Sequence, residues 1–179
     1  MGIESQDRSD AALIGAAQNG CLDSFGALYE RYHNPIVALA YAQLGDKHAA
    51  EDAAQEVFAI ACDRLGSLRD RDSVGPWLAG ICRNVTRQIR RTRKRPAPES
   101  NGVAEAHRPE DNERSDAIRR AVWTLKPDER ELIVMRYFDG FSQARISDVL
   151  GISSAAVNGR LVRAKRKLAQ KLKRDGFGS

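Results

Sequence analysis

The sequence predicts an all-α protein: two small helical domains joined by a flexible linker, with a helix-turn-helix in the C-terminal domain. Apolar residues recur at steps of three and four along most of the chain, and alternating runs typical of strands are almost absent. Three prolines, acidic residues and small residues interrupt this pattern at 96–113. We therefore expect domains at residues 9–95 and 115–174, with residues 96–114 as the linker.

Several helices are predicted in the first domain. Apolar spacing favours a short helix from Ser9 to Asn19, and Asp23 can cap a second helix that ends at Asn34–Pro35. Pro35 would then begin a third helix, because proline is favoured in the first turn. Residues 47–65 form the most helix-prone stretch, and Pro76 opens another helix after a polar loop.

Two faces are predicted on the helix at 47–65. Its apolar residues fall at three- and four-residue steps and should form a buried stripe: Ala50, Ala53, Ala54, Val57, Ala61 and Leu65. Asp52, Gln55 and Glu56 are spaced at i, i+3 and i+4, so they share a different face. We expect that second face to be exposed.

The second domain is predicted to end in a helix-turn-helix. A helix at 116–125 precedes a second one that begins at Pro127 and closes at Gly140. Ser142 and Ser153 then open two further helices, separated by a turn that contains Gly151. A plain helical hairpin would have the same pattern, so the motif is only moderately specific.

The distribution of charge indicates a polyanionic partner. Residues 1–60 carry three Lys/Arg and nine Asp/Glu, so the remaining residues hold a net excess of positive charge. Arg83–Arg95 contains seven cations and no acid, and Arg160–Arg174 contains eight cations and no acid. Two such blocks beside an acidic first third favour nucleic acid over a merely solvated basic face.

Composition excludes several other classes of protein. Cys21, Cys62 and Cys82 are odd in number and far apart, which predicts reduced thiols and neither a disulfide framework nor a zinc site. No nucleophile–base pair, glycine-rich phosphate loop or metal-ligand spacing is found, so we expect no catalytic residues, no metal, no cofactor and no enzyme activity. Without a long apolar run or a basic, apolar leader, the chain is expected in the cytoplasm with no membrane insertion.

The helix that follows Ser153 has the chemistry of a recognition helix. Its first two turns present small or polar residues, which would let the helix enter a major groove closely. Asn158 can read a base edge, while Arg160 and Arg163 can reach bases or phosphates. The remaining candidates for contacts with duplex DNA are Ser153, Ser154, Ala156, Gly159 and Lys165.

Two blocks of this sequence resemble a known family. "AAEDAAQEVFAIACDRL" followed by "PWLAGICRNVTRQIRRTRKR" is similar to the second conserved region of bacterial sigma factors of the extracytoplasmic-function group. "LKPDERELIVMRYFDGFSQARISDVLGISSAAVNGRLVRAKRKL" is similar to their fourth region. The resemblance implies an RNA polymerase initiation subunit that selects promoters and helps to open them.

The resemblance also implies roles for individual residues. Asp52, Gln55 and Glu56 would dock on core RNA polymerase, although an acidic solvated face is the simpler reading without the family. The −10 promoter element would be held by the loop before Trp77 and the following helix: Asp72, Ser73, Arg83, Asn84, Arg87, Arg90 and Arg91. Trp77 itself should pack in the core. The helix after Ser153 would bind the −35 element of promoter DNA, and an anti-sigma factor is the further implied partner.

This chain departs from the family pattern at informative positions. Arg145 stands where relatives usually have an acid, so no capping box forms at Ser142. The recognition helix reads Ala156-Val157-Asn158-Gly159-Arg160, without the lysine and hydroxyl residues that are usual there. Val74 replaces an aromatic residue. These differences leave open which bases the chain would read.

Two other functions stay possible on the sequence alone. A stand-alone helix-turn-helix regulator would bind duplex DNA without polymerase, but it has no need of the docking face and cationic helix within 47–95. A basic RNA-binding protein should expose aromatic residues for base stacking, and the basic segments contain none.

Overall fold

The computed structural model describes residues 8–93 and 112–177, which form helices and no strand. The chain order is α1 (Asp10–Gln18), α2 (Leu22–Leu44), α3 (Lys47–Arg64), α4 (Val74–Arg93), α5 (Asn112–Trp123), α6 (Pro127–Ile133), α7 (Gln143–Leu150) and α8 (Ser154–Arg174). Two short 3₁₀ turns, Leu65–Ser67 and Arg71–Ser73, link α3 to α4, and α6 continues into a π-helical turn at Val134–Phe138. We call α1–α4 the first lobe and α5–α8 the second lobe. The all-α prediction is confirmed, while most of the predicted linker lies outside the described residues.

Helix α1 begins and ends where the sequence predicts. Ser9 has extended backbone angles, and its hydroxyl accepts a hydrogen bond from the Ala12 N–H at 3.3 Å, as an N-cap does. Leu13 and Ile14 are completely buried on the inner side. Burial of such aliphatic side chains contributes about 1.5–3 kcal/mol each, which fastens this short helix to the lobe.

The predicted break at Asn34–Pro35 is wrong, because α2 runs without interruption from Leu22 to Leu44 with Pro35 inside it. A proline in a helix interior costs about 3 kcal/mol through a lost hydrogen bond and a steric clash. The flanking residues Tyr32, Ile36 and Leu39 are all buried. Their burial contributes about 1.5–3 kcal/mol each, enough to keep the helix intact.

The start of α2 also differs from the prediction. The cap position is Cys21, whose side chain makes no capping hydrogen bond, and Asp23 lies inside the first turn. A carboxylate in the first turn of a helix still interacts favourably with the helix dipole. The aspartate therefore acts through its charge and not as the cap.

Helix α3 has the two predicted faces. All six residues of the alanine-rich stripe are buried, and their small side chains allow the helix to pack closely on α2 and α4. Asp46 caps the helix by accepting a hydrogen bond from the Ala49 N–H at 2.8 Å. Asp52, Gln55 and Glu56 are exposed on the opposite side.

The two lobes pack directly against each other. Helices α2 and α4 contact α6 and α7, and a single apolar cluster extends from Leu13 in α1 to Leu161 in α8. Trp77 is half-buried against this cluster, which confirms its predicted place in the packing. The sequence does not indicate how the lobes lie relative to one another, because no periodic pattern marks a surface shared between distant segments.

The three cysteines are free and differ in environment. Cys82 is completely buried, and burial raises the pKa of its thiol to about 12. Cys21 is exposed, and the hydrogen bond from the Ser24 hydroxyl at 3.2 Å lowers its thiol pKa. Cys62 is exposed as well. In the described part of the chain, no helix is both long and apolar enough to cross a membrane.

We predict that alkylation of the folded protein distinguishes these thiols. Iodoacetamide near neutral pH should modify Cys21 first, because its lowered pKa gives a larger thiolate fraction, and then Cys62. Cys82 should react only after denaturation. Mass spectrometry of peptides at successive times measures the order, and early labelling of Cys82 would contradict the packing described here.

Candidate nucleic-acid interface

Helices α7 and α8 form the predicted helix-turn-helix. The Ser142 hydroxyl caps α7 by accepting from the Arg145 N–H at 3.1 Å, and α7 ends at Gly151, whose φ of 66° lies in the left-handed region. The Ser147 hydroxyl donates to the Ile152 carbonyl at 2.5 Å across the turn. Ser153 then caps α8 by accepting from the Ala156 N–H at 3.2 Å. The two caps define where the helices begin, and the bond from Ser147 to Ile152 restrains the turn between them.

The two helices bury one apolar stripe and present the predicted contact residues on the other side. Ile146 and Val149 of α7 are completely buried, as is Val157 of α8, and Leu161 is nearly so. Ser153, Ser154, Asn158, Arg163 and Lys165 are exposed, while Ala156, Gly159 and Arg160 are partly buried. The first two turns of α8 therefore present a polar surface to solvent.

Positive charge on α8 is divided between structural and exposed positions. Lys167 forms an ion pair with Glu129 of α6 at 2.5 Å, and Lys171 pairs with Asp175 at 2.7 Å. The Lys165 ammonium lies 5.7 Å from the centre of the Tyr137 ring. Arg163 and Arg166, in the middle of the helix, are exposed. Lys167 thus ties α8 to α6 of its own lobe, whereas the Lys171 pair lies within the end of α8, where Lys173 and Arg174 are also exposed.

Helix α4 forms the second cationic surface. Asn84, Arg87, Arg90 and Arg91 are exposed on one side of this helix. An Arg87 nitrogen donates to the Asn84 side-chain oxygen at 3.2 Å, so the two side chains lie together. The predicted contacts on α4 are therefore gathered on a single face, which includes Arg83 because it lies four and seven residues before Arg87 and Arg90.

The loop before α4 supplies the remaining predicted contacts with the −10 element. Asp70 accepts from the Asp72 N–H at 3.2 Å and from the Ser73 hydroxyl. Asp72 is exposed, while Ser73 is only partly so. The loop is thus held in a defined turn, with the Asp72 carboxylate directed to solvent.

Arg83 differs from the exposed cations of this face because its guanidinium contacts the second lobe. Its guanidinium donates to Glu131 of α6, with distances of 2.9 Å to Oε2 and 3.4 Å to Oε1. This hydrogen bond raises the pKa of Arg83, and the Glu131 side chain is only 4% exposed. The sequence analysis missed Glu131, because a lone acid within "PDERELI" carries no signal of a distant partner.

An aromatic cluster that the sequence analysis also missed joins α2 to α3. The Tyr29 ring is 4.7 Å from that of Phe58 and 4.9 Å from that of His33, measured between centroids. Tyr29 is partly exposed. The spacing of Tyr29 and His33 at i and i+4 on α2 is the one signal that could have indicated it.

Two models of known families match the chain in the order expected from the fold. The model described as "Sigma-70 region 2" matches residues 28–95, and "Sigma-70, region 4" matches residues 115–168. The ECF RNA polymerase sigma factor SigM of Mycobacterium tuberculosis H37Rv is 31% identical over 93% of this chain and 86% of its own length. The solved structure of CnrH in complex with the cytosolic domain of CnrY has a TM-score of 0.63 at 26% identity, with 93% of this chain and 98% of that chain covered.

Some relatives are considerably longer than this chain. The chain spans 45% of the Xanthomonas campestris pv. campestris protein named "Probable RNA polymerase sigma factor RfaY", to which it is 33% identical over 93% of its own residues. It spans 66% of the ECF RNA polymerase sigma factor BldN of Streptomyces coelicolor, at 32% identity over 91% of its own residues.

A cationic helix-turn-helix in one lobe and a second cationic helix in the other define a DNA-binding protein of two helical parts. The matches to both regions assign its family. The chain belongs to the sigma-70 family of RNA polymerase sigma factors, within the extracytoplasmic-function group.

The partly buried Gly159 generates a test of how α8 meets DNA. A Cβ added there would contact only the Arg163 guanidinium at 3.6 Å, so Gly159→Ala fits the free protein without strain. We expect the variant to be more stable by about 0.5–1 kcal/mol, since glycine is the poorer helix former. Its affinity for promoter duplex should fall, because the methyl group would occupy space where α8 approaches the groove.

Urea denaturation and fluorescence anisotropy with a promoter duplex measure the two effects of this substitution. Ala169→Gly is the matched control: it lies on the exposed side of α8 five residues before Arg174, and it should lower stability without changing affinity. Unchanged or tighter DNA binding by Gly159→Ala would argue against a close approach.

Proposed function

We propose that this chain is a transcription initiation factor that binds core RNA polymerase, recognises the −35 and −10 promoter elements, and promotes melting of the DNA. The observation that carries the proposal is the presence of two separate cationic helices, α4 and α8, in lobes that match sigma regions 2 and 4. A stand-alone repressor would use only the second lobe.

The −35 element would be read in duplex form by the start of α8. Ser153 and Ser154 at the helix N-terminus suit a phosphate, and Asn158 can hydrogen-bond a base edge. Arg160, Arg163 and Lys165 would hold bases or the backbone. The small side chains of Ala156 and Gly159 leave room for the groove walls.

The −10 element would be held as a single strand along α4 and the loop before it. Asp72 and Ser73 offer polar groups to the edge of an unstacked base, while Asn84, Arg87, Arg90 and Arg91 line a face that suits the phosphate backbone. Melting would follow because a strand held in this way is removed from pairing.

Docking on core polymerase would use the exposed carboxylates of α3. Asp52, Gln55 and Glu56 lie on one face of a helix whose other side is buried, so the acidic face is rigidly presented. Charged residues arranged in this way steer association and fix the register of a complex.

The remaining features of the proposal follow from the family. We propose no catalytic role for the chain and place it in the cytoplasm, where core polymerase is found. We also propose an anti-sigma factor as a regulatory partner, and the similar protein CnrH is known in complex with a second protein, the cytosolic domain of CnrY.

We predict that charge reversal on α3 abolishes transcription without unfolding the protein. Asp52→Lys and Glu56→Lys should each reduce affinity for core polymerase at least about tenfold, because each replaces a negative charge of the docking surface with a positive one. Circular dichroism should stay helical, since both residues are exposed. Glu30→Lys, at an exposed position on α2 and off the proposed docking face, is the control and should bind core polymerase far better than either variant.

Run-off transcription by purified core polymerase on a library of promoters tests the proposal as a whole. We expect transcripts only when the chain is added, and a common pair of sequence elements upstream of their start sites. DNA binding should weaken steeply with salt, because several Lys/Arg displace counterions. Binding of duplex DNA without any association with core polymerase would instead support the stand-alone regulator.

A further inference from the structure

The loop between α3 and α4 is tied to α1 by a single side chain, that of Gln18. Its amide nitrogen donates to the Leu65 carbonyl at 3.0 Å and to the Leu68 carbonyl at 2.9 Å. Its side-chain oxygen accepts from the Arg71 Nε at 3.1 Å. A primary amide has two N–H donors and one oxygen acceptor, so both donors and the acceptor of Gln18 are engaged with the loop.

The three hydrogen bonds are spread along the loop. Leu65 begins the first 3₁₀ turn, Leu68 follows the end of that turn, and Arg71 begins the second turn. Helices α3 and α4 hold the two ends of the loop, whereas Gln18 holds its middle. The two residues that follow Arg71 are the loop's proposed contacts with the −10 element.

The Arg71 guanidinium lies against α1, beside Gly15. A Cβ on Gly15 would lie 2.9 Å from Arg71 Nη1 and 3.3 Å from its Cζ, so the guanidinium occupies space that glycine leaves open. Gly15 is itself buried. Arg71 therefore belongs to the attachment of the loop to α1.

Helix α1 is in turn fixed to α2. Asp10 accepts hydrogen bonds from the Arg31 guanidinium and, at 2.5 Å, from the Tyr32 hydroxyl. Ile14 is completely buried, and Gln18 stands four residues further on, on the same side of the helix. Gln18 thus reaches the loop from a helix that is anchored at its start and in its middle.

Recognition of an unstacked base depends on the exact place of the polar groups that meet it. A hydrogen bond weakens steeply as its angle departs from linear, and a loop that has to be ordered on binding loses affinity through the cost of ordering. The bonds that Asp70 accepts shape the second turn from within. The bonds of Gln18 fix where that turn lies on the lobe.

We propose that Gln18 is a positioning residue for recognition of the −10 element. It holds the loop so that Asp72 and Ser73 meet an unstacked base in a fixed geometry, and it does not itself contact DNA. Arg71 completes the attachment. The proposal rests on the proposed function, in which this loop meets the −10 strand, and it gives α1, which precedes the segment matched by sigma region 2, a share in promoter selectivity.

Two substitutions separate the hydrogen bonds of Gln18 from the shape of its side chain. Gln18→Glu keeps the acceptor for Arg71, loses both donors, and sets a carboxylate oxygen against two carbonyl oxygens. Gln18→Met has a similar length with neither N–H groups nor charge. Asn19→Asp is the control for the added charge, because the neighbouring Asn19 is exposed at the end of α1.

Amide hydrogen exchange, followed by NMR, measures the attachment of the loop without DNA. The amides of Leu68 and Ser73 each donate to a carbonyl three residues earlier, at 3.1 Å and 3.2 Å. We expect both to exchange at least about tenfold faster in the two Gln18 variants, because local opening of a loosened loop costs less free energy. Asn19→Asp should exchange as the unmodified chain does. Unchanged exchange in the Gln18 variants would overturn the proposal.

Discrimination between bases measures the positioning role itself. The probes are fluorescent single strands that carry the −10 element found by run-off transcription, with one base replaced at a time, and an oligothymidylate of equal length. At the position that the loop reads, the ratio of affinities for the preferred base and its replacements should fall at least about threefold in both Gln18 variants.

Affinity for the oligothymidylate should be the same for Gln18→Met as for the unmodified chain, and the same for Gln18→Glu as for Asn19→Asp, because the arginines of α4 are unchanged. An equal loss of affinity for every probe would overturn the positioning role. A loosened loop that discriminates as before would overturn it as well.

Gly15→Ala tests the attachment without altering Gln18. The added methyl should displace the Arg71 guanidinium, which is the end of a flexible side chain, and alanine favours the helix, so the fold should be kept. Gly26→Ala in α2 is the matched control, since a Cβ there meets nothing within 4 Å. Gly15→Ala should speed exchange of the Ser73 amide and lower discrimination relative to this control. Equal behaviour of the two would overturn the part assigned to Arg71.

An unmodified chain that shows no preference among the probes would count against the proposed −10 role of the loop. Amide exchange in the Gln18 variants distinguishes that outcome from a loop that Gln18 does not hold, because exchange is measured without DNA.

Discussion

Helix α4 has to be apolar enough on one side to join the core and cationic enough on the other to hold a polyanion. Its buried side includes Val74, Leu78, Cys82 and Val85, and its exposed side carries the arginines of the proposed −10 surface. With 3.6 residues per turn, one helix can carry apolar residues on one side and cationic residues on the other, provided that the two types do not mix. The rest of the first lobe packs around this helix, so the same segment that organises the core also presents the charge.

The contact between the lobes combines two kinds of interaction with different consequences. Apolar burial, such as that of Leu132 and Met135, provides most of the driving force because its free energy grows with the apolar area removed from water. The Arg83–Glu131 pair contributes little net stability, since desolvation of both charges offsets their attraction. Its effect is to select one register, because a shifted interface would leave the Glu131 carboxylate buried without a cation.

Features set by neighbouring residues could be predicted from the sequence, and features set by distant residues could not. The caps at Ser9, Ser142 and Ser153 follow from local hydrogen bonding, and the stripe of α3 follows from periodicity. Pro35 was misjudged because tertiary burial overrides local propensity. The partners of Glu131 and Arg145 lie in the other lobe, which a single sequence does not identify. Most of the proposed contact residues are exposed, whereas Ser73, Arg83, Ala156, Gly159 and Arg160 are partly buried.

The proline inside α2 changes what the helix can offer its surroundings. An unbroken helix uses its backbone carbonyls internally, whereas Pro35 releases the oxygen of Arg31 as an acceptor on the helix side, and the Arg145 guanidinium donates to it. Positions 35 and 145 are thereby linked through one oxygen atom, although they are far apart in the chain and neither side chain has an evident partner in the sequence. Descendants of this chain that replace the proline would restore the internal bond and remove the selective value of arginine at 145, so the two positions should evolve together.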